Sequence, residues 1–268
     1  MRYVAPTRES LDRRVLAVPP LAQWAEFSPF LTESAWPETA ALNALLPRES
    51  EVHFVAQDKA LLDDGLHYEE RIARGAIATR EANWHDLFNA LVWLRYPALK
   101  RALNVRQVAE IAAMGPRERS RPQCALTHFD EAGIVVTLQD PAMLAAWDRH
   151  DWHALFWTHR EAWRSGEARV DIFGHALLEH ALTPDKLLVG KALVVMGGGN
   201  ALATCAQAIA SGEILNDPQE LRPLPVSGVP GWHAETATEA FYTTAPCFQP
   251  VRAGRLYPAA LDGTQSRP

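Results

Sequence analysis

Cysteine is scarce in this chain: Cys124, Cys205 and Cys247 are the only three among 268 residues. The odd count, the wide spacing and the lack of any CxxC pair exclude a disulfide framework and a cysteine-based zinc site, and they point to a reducing compartment. Excess positive charge is also missing. With 26 Lys and Arg against 32 Asp and Glu, the net charge is -6, which gives no general attraction to nucleic acid or to anionic membranes. No long apolar run is present either. The nearest approach, LLVGKALVVMGGGNALATCAQAIA from Leu187 to Ala210, is interrupted by Lys191, Asn200 and Gln207 and by three glycines. A central Lys alone costs about 2.5–3.5 kcal/mol on the membrane-insertion scale. The opening MRYVAPTRES has no apolar core of a secretory signal. A cytoplasmic protein without a membrane span is expected.

Several catalytic signatures are absent as well. Met196-Gly-Gly-Gly-Asn200 precedes a helix-like stretch, as an anion cradle does, but neither the Walker spacing nor GxGxxG accompanies it. The connection reads better as an irregular turn. No G-x-S-x-G elbow presents a serine nucleophile. Cys205 sits in an apolar segment with nothing near it in sequence to stabilise a thiolate.

What is present is the material of a globular domain, 48% hydrophobic and 22% charged. Residues 1–35 are punctuated by proline, a short helix is expected around Glu38–Leu46, and Val52–Ala56 alternates like a strand. Asn83 and Asp86 fit a helix-capping pattern, so a helix is expected to about Arg95. Pro97 then opens a second helix that Gly115 stops near Met114. Cys124–Phe129 and Ile134–Thr137 read as strands joined by Asp130-Glu-Ala-Gly133, a bulged hairpin. Helices are expected over Pro141–Trp147 and Asp151–Arg164, and another, capped by Asp171, to about Leu182. Leu187–Met196 suits a buried strand and Asn200–Ser211 a helix. The expected class is α+β, a predominantly helical single domain over residues 1–252 with a small antiparallel hairpin or sheet. Residues 253–268 form a loose tail.

The stretches ATREANWHDLFNALVWLRYPALKRALN, ALTHFDEAGIVV, FGHALLEH and PLPVSGVPGW together resemble a proteobacterial domain-of-unknown-function family, numbered 3025, from about Tyr68 to Arg252. His128 and His180 depart from that pattern, where an apolar residue and a Lys are expected. The resemblance implies a bacterial single-domain protein and supplies no activity, cofactor or site residue.

Candidate chemistry therefore rests on the residues. His85 and Asn89 lie one turn apart on the expected Trp84 helix, with Trp84, Leu87, Phe88 and Leu91 as an apolar stripe. In the first turn, the helix dipole disfavours a proton on His85, and a neutral imidazole is able to bind a metal or act as a base. His175 and Glu179 repeat the spacing, which suits one divalent ion held from a helix. The adjacent Asp130 and Glu131 offer oxygen ligands, although Asp is also a plain turn residue. Each pair has an architectural alternative in which the polar groups are merely satisfied within the core. The segment from Trp147 to Trp163 holds four tryptophans and three histidines; its aromatics suit a core or a stacking surface. Seven basic residues between Arg95 and Arg121 suit a solvated face more than a nucleic-acid site, since no such motif accompanies them.

Two readings follow. One is a metal-assisted hydrolase of a small-molecule substrate, with His85, His175 and Glu179 as metal ligands to a divalent ion. Asp86, Asp130 and Asn89 would be its catalytic partners. The other is a non-catalytic binding or scaffold protein. Duplex nucleic acid and membrane are not expected partners of either.

Overall fold

Gly133–Leu138 (GIVVTL), buried along its whole length, is the strand around which the larger sheet is assembled. A strand covered on both faces carries a continuous apolar run instead of an alternating one. The computed structural model describes residues 3–115 and 118–264. Met1, Arg2, Pro116, Arg117 and the end of the expected tail, residues 265–268, lie outside them.

Two strands precede this one and form a small parallel pair, β1 (His53–Ala56) and β2 (Ala76–Thr79). Gly133–Leu138 is β3. β4 (Arg169–Ile172) runs antiparallel to it, and β5 (Val189–Met196) runs parallel to it on the other side, with Val136 opposite Val194. The far edge of β5 is divided between two strands. β6 (Arg222–Pro225) pairs antiparallel with Val189–Ala192, and β7 (Leu261–Asp262) pairs parallel with Val195–Met196. The sheet is mixed, in the order β4-β3-β5-β6. Helix predominates and the class is α+β.

The helices Trp84–Arg95, Pro97–Met114 and Ala201–Ala210 lie where the sequence pattern puts them. Asn83 and Asn200 cap the first and third by accepting from Asp86 N–H (3.0 Å) and Ala203 N–H (3.1 Å). The expected hairpin does not form. Residues Arg121–Ala132 are a helix, and its start is set by Ser120-Arg-Pro-Gln123. Ser120 Oγ accepts from the Gln123 N–H (3.1 Å) while Gln123 Oε1 accepts from the Ser120 N–H (2.9 Å), a reciprocal cap. Ala125, Leu126 and Phe129 are buried from this helix, the spacing of one helical face. Asp130 and Glu131 therefore lie in its last turn, not at a loop tip.

Asp171 does not cap a helix; it lies within β4 opposite Val135, and the following helix is His175–His180, with Gly174 as its N-cap. The helix expected over 151–164 is divided into a π-helical turn, His153–Thr158, and Arg160–Ser165. Trp147, Trp152, Phe156 and Trp163 from this region are core residues. Gly199 is a close-approach residue: a Cβ there would stand 2.3 Å from the Gly263 carbonyl oxygen, so it makes room for the chain leaving β7. Part of the segment expected to be loose is therefore held, by β7 and by Tyr257, whose hydroxyl is 2.8 Å from His150 Nε2. No helix among the described residues is long and apolar enough to cross a membrane.

Candidate metal centre

His85 enters the site from the first turn of the Trp84–Arg95 helix and His175 from the first residue of the His175–His180 helix. A close backbone contact determines where the second helix starts. A Cβ on Gly174 would fall 2.5 Å from the Gly133 nitrogen and 2.4 Å from Ala132 Cα, and the Gly174 N–H donates to the Gly133 carbonyl (2.8 Å). A residue without a side chain thus lets the start of one helix abut the end of another. His175 is placed beside Asp130 and Glu131 as a result.

The two imidazoles meet edge to face, with Nε2 of one 3.1 Å from Nε2 of the other. Glu131 Oε1 lies 3.7 Å from His175 Nε2. His85, Glu131 and His175 each offer one ligand atom, all within 4.8 Å of one another. Two atoms bound to one ion at about 2.0–2.1 Å stand about 3–3.4 Å apart at octahedral to tetrahedral angles, so the histidine nitrogens already have a ligand-pair spacing. The opposite ring nitrogens face carboxylates: His85 Nδ1 is 3.4 Å from Glu179 Oε2, and His175 Nδ1 is 3.9 Å from Asp130 Oδ2. Behind them, the buried Lys100 donates to Asp130 Oδ1 at 2.6 Å. Carboxylates behind the ring are how ligating histidines are commonly oriented.

The charge pattern favours a cation between the rings. Burial pushes the His175 imidazole down to about 3, against the Asp130 charge, so it is neutral. Burial alone would lower His85 too, but the Glu179 hydrogen bond and the charges of Glu131, Glu179 and Asp86 outweigh it and raise its pKa. The carboxylates around His85 thus act against the helix dipole, which disfavours its proton. Burial opposes the Asp130 charge, yet Lys100 above all holds its carboxyl below the usual range. Burial raises that of Glu131. The Nε2–Nε2 contact requires one ring to donate and the other to accept, while His175 Nδ1, 3.9 Å from Asp130, is buried without a hydrogen-bond partner among the described residues.

The other sequence candidates are placed as follows. Glu179 faces Nδ1 of His85, behind the ring. Asp86 turns to Arg80, accepting from its backbone N–H (2.7 Å), Nε (3.0 Å) and Nη2 (2.6 Å). Asn89 Nδ2 donates to the Tyr68 hydroxyl (2.8 Å), leaving the buried Asn89 Oδ1 without a hydrogen-bond partner among the described residues. All but Glu179 line one cleft of about 390 Å³, with His85, His175 and Glu131 in its wall. Tyr68 and Glu69 also line it; the sequence reading did not single them out, because the Tyr68–Ala73 helix is short and carries no long apolar stripe. Burial and the Asp130 charge raise the Glu69 carboxyl to about 7, opposed by the Asn104 hydrogen bond (2.7 Å) and by Lys100.

Elsewhere the candidates disperse. Arg106 donates to the Ile209 and Ile214 carbonyls (3.3 and 2.9 Å) and Arg121 pairs with Asp217 (2.6 Å); together with Lys100 they bond within the fold. Burial raises the Cys205 thiol to about 12, which leaves no thiolate near neutral pH.

No curated protein and no solved structure matches the chain. A family model described as a protein of unknown function, DUF3025, matches residues 52–252, a span that contains every residue of the cluster. The chain belongs to the DUF3025 family.

Proposed function

We propose that the protein is a metal-dependent hydrolase. The observation that carries this reading is the pair of Nε2 atoms 3.1 Å apart, facing one point with Glu131 and backed by Glu179 and Asp130. Three protein ligands and a cleft on one side are the arrangement of catalytic divalent sites, which keep a position open for water or substrate. His85 Nε2, His175 Nε2 and Glu131 Oε1 would hold the ion, replacing the proton shared by the rings. A divalent ion there would acidify a bound water and polarise the bond to be cleaved. Glu179 and Asp130 orient the ligating rings, and Lys100 keeps Asp130 ionised. Glu69, with a carboxyl near 7, suits proton transfer to a leaving group. Asn89 Oδ1, buried and without an acceptor's usual donor, supports a role in holding a donor group of the substrate.

A binding or scaffold protein is the competing reading, and the direct imidazole contact favours it, because each ring satisfies the other. It leaves unexplained why three carboxylates surround a pair that needs only one of them.

The test is hydrolysis by metal-reconstituted protein. Zinc- and manganese-loaded wild type is assayed on p-nitrophenyl phosphate, bis-p-nitrophenyl phosphate and p-nitrophenyl acetate beside chelated protein and His175→Ala. Turnover present only in the loaded wild type is expected. A stoichiometrically loaded protein that hydrolyses none of the three would contradict the hydrolase reading and leave the binding reading.

A further inference from the structure

A second cleft, of about 490 Å³, lies beyond the C-terminal end of the His175–His180 helix. Its charge runs against that of the whole chain. Arg160, Arg164 and Lys186 line it with one carboxylate, Asp185, in a protein whose net charge is -6. Arg164 is engaged by Glu161 at 2.9 Å. The other two cations form no ion pair among the described residues. Arg160 lies over the Trp157 ring at 4.0 Å, and its buried Nε has no hydrogen-bond partner among the described residues. Lys186 Nζ lies 4.0 Å over the Tyr3 ring and forms no ion pair among the described residues, and burial lowers its pKa.

His233 adds a second buried unmatched donor. Its Nδ1 accepts from the Glu235 N–H (3.2 Å), which leaves the ring proton of the neutral form on Nε2. That Nε2 is buried and unpartnered. Buried donors are normally paired, so two unmatched buried donors around one cleft, with Lys186 beside them, mark a place short of acceptors. Apart from the hydroxyls of Thr183, Ser227 and Thr236, the remaining wall is largely apolar, with Val15, Val18, Leu188, Val226 and Trp232.

We propose that this cleft binds a small organic anion, its carboxylate or phosphate head held by Arg160 and Lys186 and its apolar body laid against Val226, Leu188 and Trp232. Guanidinium and ammonium groups stacked on rings keep their charge available for a charge-assisted hydrogen bond. The apolar wall selects an anion that carries a hydrophobic group over a bare one. The site is separate from the histidine cluster and does not depend on the hydrolase reading.

Calorimetric titration of the full chain in chelator, so that no bound metal offers a rival anion site, tests this. Phenyl phosphate and phenylacetate are expected to bind saturably, and whichever is tighter identifies the head group. Inorganic phosphate should be weaker by about tenfold or more, for want of the buried ring, and phenethylammonium should not bind. The double variant Arg160→Gln/Lys186→Gln should lose about tenfold or more in affinity through its lost charged hydrogen bonds, with its circular dichroism and melting unchanged. Asp185→Asn, a milder change, should tighten binding. No saturable heat with either aromatic anion would overturn the proposal. So would equal binding of the cation, equal binding of inorganic phosphate, or wild-type affinity in a folded double variant.

Discussion

Two regions of this molecule are built from similar residues and behave differently. Around Phe156, the segment from Trp147 to Trp163 supplies tryptophans and histidines, and the rings of Trp152, Trp163, Tyr242 and Phe248 surround Phe156 at 5.6–6.3 Å between centroids. Its histidines stand on the rim, each with partners of its own: His153 with Glu239 (2.7 Å) and His150 with Gln249 O (3.0 Å) and the Tyr257 hydroxyl. Around His85, two histidines point at each other and carboxylates stand behind and beside them. Residue type does not separate the two regions. What each side chain faces across the fold does, and that depends on which helices abut.

The comparison is sharpened most strongly by Phe156→Ala. Phe156 is fully buried among rings, and its truncation should cost about 3–5 kcal/mol while metal affinity is unchanged; urea unfolding in chelator and a metal titration measure the two. A variant that loses the metal as well would show that the regions are not independent.

His175→Ala is the converse. Loss of one ligand from a three-ligand set should weaken metal affinity by more than about 100-fold, beyond the effect of outer partners. The stability of the metal-free protein should fall by only about 1–3 kcal/mol, the cost of one unpaired buried group. A competition titration against a chromophoric chelator reads the first quantity and urea melts the second. Metal affinity equal to wild type would break the comparison.

The two regions were also unequally legible in sequence. His85 and His175 stood out because each carries a polar residue one turn on, and the Asn83 cap, Pro97 and Gly115 bounded two helices correctly. Within the Arg121–Ala132 helix, Cys124–Phe129 reads as strand because Ile134–Thr137 looks like its hairpin partner. The local signal was present in Ser120-Arg-Pro-Gln123, whose reciprocal cap names a helix start. Glu131 gained its place through that helix and through Gly174, which permits a contact between residues far apart in sequence. Nothing local shows such a contact. Glu69 was hidden for a different reason: its raised pKa comes from burial and from Asp130, both products of tertiary packing.

Smaller effects come from the residues behind the ligands. Glu179→Gln removes the charge facing His85 Nδ1 and should lower metal affinity by about 10–100-fold, as outer partners of ligating histidines do. An unchanged affinity would make the contact incidental.

Glu69 provides the smallest effect, and a pH signature. Its folded-state carboxyl is raised from 4.5 to about 7, so the native state binds this proton more tightly than the unfolded chain. The stability this contributes is full below about pH 4.5 and is lost as pH rises through about 7, on the order of 1–3 kcal/mol. Glu69→Gln should therefore match wild type near pH 4 and exceed it at pH 8 in urea melts of chelated protein. Parallel pH profiles for the two would contradict the burial of this charge.

The most direct test of the central claim is the metal content of the full chain, purified without a histidine tag and measured by plasma mass spectrometry beside His85→Ala/His175→Ala. Close to one divalent ion per wild-type chain after dialysis, and none in the variant, is the predicted result. Wild type that neither retains nor takes up an ion, or a variant that holds as much as wild type, would contradict a metal centre between His85 and His175.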